Sequence, residues 1–196
     1  MMTTANKITI ARVLLVPIFA SVLFEYSRTG AEWQRQLALS CFAIAAITDA
    51  VDGYIARRYN QRSKLGSVLD PMADKLLLVM GLALLTALQH PHLAPLPTWL
   101  LLTVLSRDVL LLIGLAVIHF TCGHVRVKPH FLGKIATVCQ MCCIFWVLLQ
   151  WNPAWIRPWS LAAALTTGAS GVLYIIDGIR QLGASPSSGP DHPTKS

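Results

Sequence analysis

The chain has 196 residues, of which 55% are hydrophobic and 13% are charged, and its mean hydropathy is +0.57. Soluble globular domains carry about 25% charged residues, so this composition excludes an ordinary water-soluble domain and indicates a membrane protein. The formal net charge of +7 does not indicate nucleic-acid binding, because the basic residues fall between apolar segments and are not interleaved with aromatic residues. Anionic lipid headgroups and phosphates are the partners that this charge favours.

Six apolar segments follow one another along the chain, each near the ~20 residues that a helix needs to cross the hydrocarbon core of a bilayer. They cover residues 8–25, 33–56, 66–89, 96–120, 131–151 and 156–181. We therefore predict an all-α membrane protein with six transmembrane helices in a single domain, residues 1–182. The tail, residues 183–196, is rich in Pro, Ser and Gly and has no apolar period, so it is predicted to be disordered.

The basic residues predict how the chain is oriented in the membrane. Lys and Arg are frequent in residues 57–64 and 121–134, whereas residues 90–95 contain neither. Cytoplasmic loops carry an excess of Lys and Arg, so residues 57–64 and 121–134 belong on the cytoplasmic side. With six spans, both termini then lie on that side as well.

Four aspartates stand in the stretch DAVDGYIARRYNQRSKLGSVLDPMAD, which runs from the end of the second apolar segment to the start of the third. Asp49 and Asp52 are three residues apart on the second predicted helix, and Asp70 and Asp74 are four residues apart on the third. Residues at these spacings share one helix face. Because a polar turn separates the two pairs, the helices can return antiparallel and bring both acidic faces together near the cytoplasmic interface.

Converging carboxylates at the edge of a low-dielectric slab require positive charge among them, since each like charge disfavours ionisation of the others. An all-oxygen set on two rigid helices is the ligand type that hard divalent cations prefer, Mg²⁺ first and Mn²⁺ second. Two ions ~4 Å apart would form the clamp used for phosphoryl displacement. The alternative is that the acids pair with Arg57, Arg58 and Lys75.

Small residues beside the aspartates leave room for a ligand to approach the backbone. They are Gly53, Ala56 and Gly66, and Arg57 is placed to meet a phosphate held there. The alternative for the small residues is close helix packing.

This stretch resembles the CDP-alcohol phosphatidyltransferase family, whose signature is D-x2-D-G-x2-A-R-x8-G-x3-D-x3-D. All fixed positions of the signature are matched, by Asp49, Asp52, Gly53, Ala56, Arg57, Gly66, Asp70 and Asp74. The resemblance implies a six-helix membrane fold with a polar cavity open to the cytoplasm, usually a homodimer. It implies transfer of a substituted phosphate from a CDP-linked donor to an alcohol, with release of CMP, and location in a bacterial inner membrane.

The resemblance also implies roles for individual residues. Metal ligands would be Asp49, Asp52, Asp70 and Asp74, and Asp74 would also be the general base on the acceptor hydroxyl. The cytidine diphosphate cradle would comprise Gly53, Ala56, Arg57 and Gly66. Asn6 and Thr9 would add to the donor site, because NKITIAR matches the N-x2-T-x2-R of glycerophospholipid-forming members; the alternative is a helix start with Arg12 at the membrane interface.

The second half of the chain offers basic residues for a phosphate-bearing acceptor, namely Arg107, Arg126, Lys128 and Lys134. Each has an alternative. Arg107 can pair with Asp108, Arg126 and Lys128 can reflect the positive-inside bias, and Lys134 can snorkel from an apolar span.

Residues 1–90 resemble both phosphatidylglycerophosphate synthases and CDP-diacylglycerol-using cardiolipin synthases. The second half departs from the arginine-glutamate pair and Gly-Leu-Arg of the former, and its SRDV and R-x-KP-x-F-x2-K patterns look like the latter. Both enzymes transfer a phosphatidyl group to a glycerol hydroxyl of a phosphorylated acceptor, which is the predicted function. The acceptor, glycerol 3-phosphate or phosphatidylglycerol, stays open.

Two other classes of protein also place acids in membrane segments. A cation transporter or channel predicts acids spread across the membrane depth and an inverted repeat, whereas here the acids cluster at one interface beside a basic turn. A structural scaffold predicts no dependence on divalent metal. The enzyme is favoured over both.

Overall fold

The computed structural model of the chain describes residues 4–59, 66–88, 93–122 and 131–183. Within these ranges it contains no strand, and its α-helices are α1 (Thr4–Thr29), α2 (Glu32–Tyr59), α3 (Gly66–Ala87), α4 (Thr98–Cys122), α5 (Phe131–Leu148) and α6 (Ile156–Gly183). A short 3-10 helix, Pro153–Trp155, precedes α6. The predicted all-α class is confirmed, and each predicted apolar segment corresponds to one helix. The tail from residue 184 onward lies outside the described residues.

Helices α1 and α2 form an antiparallel pair because their connection is very short. Gly30 has a φ of 68°, a left-handed conformation that glycine adopts readily and that commonly ends a helix. The Thr29 hydroxyl donates a hydrogen bond to the side-chain oxygen of Gln34 across the connection. Further along, the rings of Phe19 and Phe42 pack with their centroids 5.7 Å apart. These contacts fix the register of the two helices.

The other four helices form two more antiparallel pairs. The Leu96 amide, just before α4, donates to the Leu85 carbonyl of α3 at 3.2 Å, and α3 and α4 are in contact again at Lys75 and Asp108. In the α5–α6 pair the side-chain amide of Gln140 donates to the Thr167 hydroxyl at 2.9 Å. Both partners of that bond are buried, so their polar groups are satisfied inside the helix pair.

One end of the bundle carries a cluster of tryptophans, and we call it the tryptophan end: Trp146, Trp151, Trp155 and Trp159. Trp146 packs against both Trp151 and Trp159. Arg35, at the start of α2, donates to the Leu148 carbonyl at the end of α5. The starts of α2 and α6 and the ends of α1 and α5 therefore lie at this end of the molecule.

Helix α5 ends three residues before the end of the predicted segment, at Leu148. Gln150 has a φ of 54°, which stops the helix because this left-handed conformation breaks its hydrogen-bonding pattern. The Asn152 side chain then accepts a hydrogen bond from the Ala154 amide at 3.0 Å and caps the 3-10 helix. The apolar sequence continues past Leu148, but the α-helix does not.

The interior and the exterior of the bundle are both apolar. Phe19, Phe42 and Ile144 are fully buried in the core, whereas Leu165 and Leu112 on the outer surfaces are 71% and 66% exposed. Large exposed apolar areas of this kind are expected of helices that face lipid or a partner. Within the described ranges, Phe131–Leu148 and Pro153–Ile179 are long and apolar enough to cross a membrane. Placement of all six helices in the membrane stays a prediction.

Replacing Phe42 by alanine is expected to destabilise the bundle by about 3 kcal/mol, the lower part of the range for removal of a buried phenyl ring. The ring is fully buried and contacts Phe19 and Phe145. Thermal unfolding in detergent measures the effect. Phe24→Ala is the matched control, because Phe24 on α1 is 46% exposed, and an equal loss of stability in both variants would contradict the assigned core.

Candidate active site

The bundle end opposite the tryptophans collects the segments that carry the signature. We call it the aspartate end: the first turns of α1 and α3 and the last turns of α2, where Asp49, Asp52, Asp70 and Asp74 are located. The second helix begins at the tryptophan end and is 28 residues long, so it extends about 42 Å to the far end of the bundle. Helix α3 begins at the same far end, because only residues 60–65 connect it to α2.

The register of α1 and α2 relates the donor residues to the aspartates. Continued along two straight helices, it places Asp49 level with Arg12 and Asp52 level with Thr9. Asn6 lies one turn closer to the end of the bundle. The first-helix motif and the second-helix aspartates thus belong to the same antiparallel helix pair, and their common level stays a prediction.

Arg12 is a buried cation, with 1% of its surface exposed. The guanidinium is therefore packed inside the helix bundle and not on its surface. A buried guanidinium is costly unless opposite charge or acceptors surround it. Arg12, the third fixed position of N-x2-T-x2-R, is an interior residue of the bundle, and its place in the donor site stays a prediction.

The signature residues occupy helical positions, and their side chains lie outside the described part of the structure. Those in the last turns of α2 are Asp49, Asp52, Gly53, Ala56 and Arg57, and those in the first turns of α3 are Gly66, Asp70 and Asp74. Spacings of three and four residues on continuous helices keep each aspartate pair on one face. Among the side chains that are described, no three acidic, histidine or cysteine groups converge on a metal site. By its chemistry, the carboxylate set at this end fits Mg²⁺ or Mn²⁺.

A charged network begins one residue after Asp74. Lys75 Nζ on α3 lies 2.6 Å from Asp108 Oδ1 on α4, and the same oxygen accepts from Arg107 Nη1 at 2.9 Å. Two cations share one carboxylate, so the three joined groups carry a net charge of +1. The alternative in which Arg107 pairs with Asp108 is therefore present, in a form in which Lys75 shares the same carboxylate. Lys75 was not predicted as a site residue, although it directly follows the last aspartate of the signature.

Helix α6 completes the surroundings of Arg107. Arg107 Nη2 donates to the Ser170 hydroxyl at 3.2 Å. The guanidinium carbon of Arg107 lies 5.7 Å from the centre of the Tyr174 ring, within range of a cation–π interaction. Arg107 Nε is buried and has no hydrogen-bond partner among the described residues. The guanidinium thus retains donors that the described protein groups do not use.

A groove of about 420 Å³ opens between α4 and α6 beside Arg107. Its other lining includes the apolar side chains of Leu102, Leu110, Val172 and Ile175. The side chain of Arg107 is 16% exposed, so the cation lies against one wall of an open groove and is not sealed inside the bundle.

Of the remaining acceptor candidates, the structure describes the position of Lys134 but not those of Arg126 and Lys128. Lys134 is exposed near the start of α5, directly after Gly133, whose position adjoins the Arg107 guanidinium. Arg126 and Lys128 lie in residues 123–130, outside the described residues. The structure therefore brings Arg107 and Lys75 together and places Lys134 at the same level of the bundle.

Comparisons with known proteins agree with the signature. A family model described as CDP-alcohol phosphatidyltransferase matches residues 2–170, which include the aspartates, Arg107 and Lys134. The CDP-diacylglycerol–glycerol-3-phosphate 3-phosphatidyltransferases of Escherichia coli (strain K12) and Salmonella typhimurium are each 32% identical to the chain over 151 residues. These alignments cover 76% of this chain and 78% of each relative. The chain belongs to the CDP-alcohol phosphatidyltransferase family and is a transferase of substituted phosphate groups.

Proposed function

We propose that the protein is an integral membrane phosphatidyltransferase that transfers the phosphatidyl group of CDP-diacylglycerol to glycerol 3-phosphate and releases CMP. The observation that carries the choice of acceptor is the 32% identity to relatives named for this reaction. The apolar exterior of the helices supports the membrane location.

The donor and the metal belong at the aspartate end. We assign Asp49, Asp52, Asp70 and Asp74 as ligands of Mg²⁺ or Mn²⁺, bound as two ions. When bound, the ions supply positive charge to the donor diphosphate and to the transition state. Asn6, Thr9, Gly53, Ala56, Arg57 and Gly66 form the donor site, with Arg57 pairing a phosphate and the small residues admitting the cytidine diphosphate close to the helices.

The reaction forms one bond and breaks one. The acceptor hydroxyl oxygen bonds to the phosphorus that carries diacylglycerol, and the bond from that phosphorus to the oxygen bridging to CMP breaks. CMP leaves with the electron pair, and the hydroxyl proton passes to the Asp74 carboxylate, the general base. Asp74 and Lys75 of the charged network are neighbours on α3, and this supports a base in the same turn as the proposed acceptor site.

The acceptor phosphate binds at the Arg107 network. A phosphate dianion in a low-dielectric groove needs positive charge and N–H donors, and the net charge of +1 and the unused donors of Arg107 supply both. Lys134, with Arg126 and Lys128, adds positive charge around the same end. The aspartate end is the cytoplasmic end, because the Lys- and Arg-rich residues 57–64 and 121–134 adjoin it.

The cellular setting follows from the same relatives. Proteins of Escherichia coli and Salmonella are among those that match the chain, which supports a bacterial inner membrane as its location. We propose a homodimer, as is usual in the family.

Phosphatidylglycerol is the second candidate acceptor, which would make the protein a cardiolipin synthase. The observation that favours it is the apolar groove beside Arg107, since an acyl chain would fit against Leu110 and Ile175 while the lipid phosphate met the guanidinium. Glycerol 3-phosphate has no such chain and leaves the groove to bulk lipid.

An acceptor panel tests the proposal. Purified protein is incubated with Mg²⁺, CDP-diacylglycerol and either glycerol 3-phosphate, phosphatidylglycerol, inositol phosphate or serine, while CMP and the lipid product are followed together. We expect product from glycerol 3-phosphate. Product from phosphatidylglycerol alone would replace this acceptor by the second candidate, and no CMP with any of the four acceptors would contradict the proposed function.

Replacing Arg107 by glutamine is expected to raise KM for glycerol 3-phosphate about 10- to 100-fold. A hydrogen bond to a charged group is worth about 1.5–3 kcal/mol, and about 1.4 kcal/mol corresponds to a factor of ten. KM for CDP-diacylglycerol should change little. Arg157→Gln is the control, because Arg157 is an exposed arginine at the tryptophan end; equal effects of both variants would argue against an acceptor site at Arg107.

A further inference from the structure

Two glycines border the side chain of Arg107 along its length. A Cβ added at Gly171 on α6 would lie 3.3 Å from Arg107 Cγ, beside the aliphatic stem. A Cβ added at Gly133 on α5 would lie 3.2 Å from Arg107 Nη2, beside the charged fork. Both separations are shorter than most Cβ contacts in proteins. The arginine therefore lies in a slot in which any side chain at either glycine would compete for its space.

The slot meets the polar contacts of the guanidinium at the same point. A Cβ at Gly133 would also lie 3.4 Å from Ser170 Oγ and 3.8 Å from Tyr174 Oη. The Ser170 hydroxyl accepts a hydrogen bond from Arg107 Nη2. Because Gly133 has no side chain, the space in which this hydrogen bond forms is open. Asp108 holds Nη1 from the other side. Three helices thus fix the fork of the arginine in one position.

We propose that Gly133 is a positioning residue for the acceptor site: by having no side chain it allows α5 to close on the Arg107 guanidinium and hold it where the acceptor phosphate binds. This inference rests on the proposed function, in which Arg107 binds that phosphate. Gly133 itself does not touch the substrate, and it acts through Arg107. The atom that an alanine would displace is the far end of a flexible side chain, so the fold should absorb the change while the guanidinium shifts by a few tenths of an ångström and its hydrogen bond to Ser170 is disturbed.

Gly133→Ala tests the proposal. We expect KM for glycerol 3-phosphate to rise about 5- to 20-fold, with KM for CDP-diacylglycerol within about twofold of the wild-type value and an unchanged melting temperature. This estimate assumes loss of part of the charge-assisted hydrogen bonding of Arg107. An alanine raises helix propensity wherever it replaces a helical glycine, so a control with the same effect is needed. Gly168→Ala provides it, because a Cβ at Gly168 on α6 would meet no described atom within 4 Å.

A double variant separates positioning through Arg107 from a general packing effect. If Gly133 acts through Arg107, adding Gly133→Ala to Arg107→Gln should raise KM no further than Arg107→Gln alone. Independent, multiplying effects would overturn the inference, as would a wild-type KM in Gly133→Ala or an equal change in Gly168→Ala. An unchanged KM in Arg107→Gln would instead contradict the proposed acceptor site itself, so the two failures are distinguishable.

Discussion

Asp74→Asn is expected to abolish CMP release, with kcat lowered about 10³-fold or more. General-base catalysis alone contributes about 10²- to 10⁴-fold, and asparagine accepts no proton in this role. Binding of CDP-diacylglycerol should be partly retained, because the other three aspartates of the signature remain. Single-turnover CMP release and donor binding, measured on the same preparation, check both parts of the prediction.

Glu25→Gln is the matched control for this loss of charge. Glu25 is an exposed acid near the end of α1, at the tryptophan end, so its replacement should leave turnover close to wild type. Near-normal turnover in Asp74→Asn would mean that another group takes the proton. Complete loss of donor binding would mean that Asp74 holds the metal and the donor, and that its effect on the base step cannot be isolated.

Asp52→Asn is expected to abolish the Mg²⁺-dependent thermal stabilisation that CMP confers on the purified protein. A ligand that binds the folded state at 100 times its Kd raises stability by about 2.7 kcal/mol, and the proposed site requires metal and nucleotide together. Without Mg²⁺, the variant should melt slightly above the wild-type temperature, because removing one of four clustered carboxylates relieves repulsion. Relative to the wild type, the melting temperature with Mg²⁺ and CMP should therefore fall, and the melting temperature without Mg²⁺ should rise.

This opposite change distinguishes a ligand from a structural residue. An aspartate that stabilised the fold through an ion pair would lower the melting temperature of the metal-free protein when replaced. Asp49→Asn should behave like Asp52→Asn, since the two residues are three apart on α2, and Glu25→Gln should alter neither melting temperature. An undiminished response to Mg²⁺ and CMP in Asp52→Asn would remove it from the proposed metal site.

The helices could be predicted from composition because long apolar segments are a local property of the chain. Each of the six segments corresponds to one helix, and the disagreements are at the helix ends. Helix α1 starts at Thr4 and α2 runs to Tyr59, past the apolar residues, because backbone hydrogen bonds continue a helix into polar sequence. Helix α5 stops early where Gln150 takes a left-handed φ, which hydropathy does not register.

The signature residues could be identified as candidates from the sequence because their spacing and types carry chemistry without reference to the rest of the fold, and their roles stay predictions. Two aspartate pairs at helical spacing favour a divalent-metal site in a helical hairpin, whereas the nucleotide site is what the resemblance to the family implies. The acceptor residues could not be ranked in this way, because Arg107, Arg126, Lys128 and Lys134 look alike as single letters in the sequence. Proximity to Lys75, Asp108 and Ser170 separates Arg107 from them.

The sequence by itself determined the all-α class, the six segments, the two aspartate pairs and the family to which they belong, since all of these depend on residues close together in the chain. The tertiary structure decided that Lys75 and Arg107 share the carboxylate of Asp108, that Arg12 is buried, and that Gly133 leaves space for a guanidinium from another helix. These contacts join residues up to 63 positions apart, such as Arg107 and Ser170. Only the packing of separate helices brings such residues within hydrogen-bonding distance, and no local pattern in the chain specifies it.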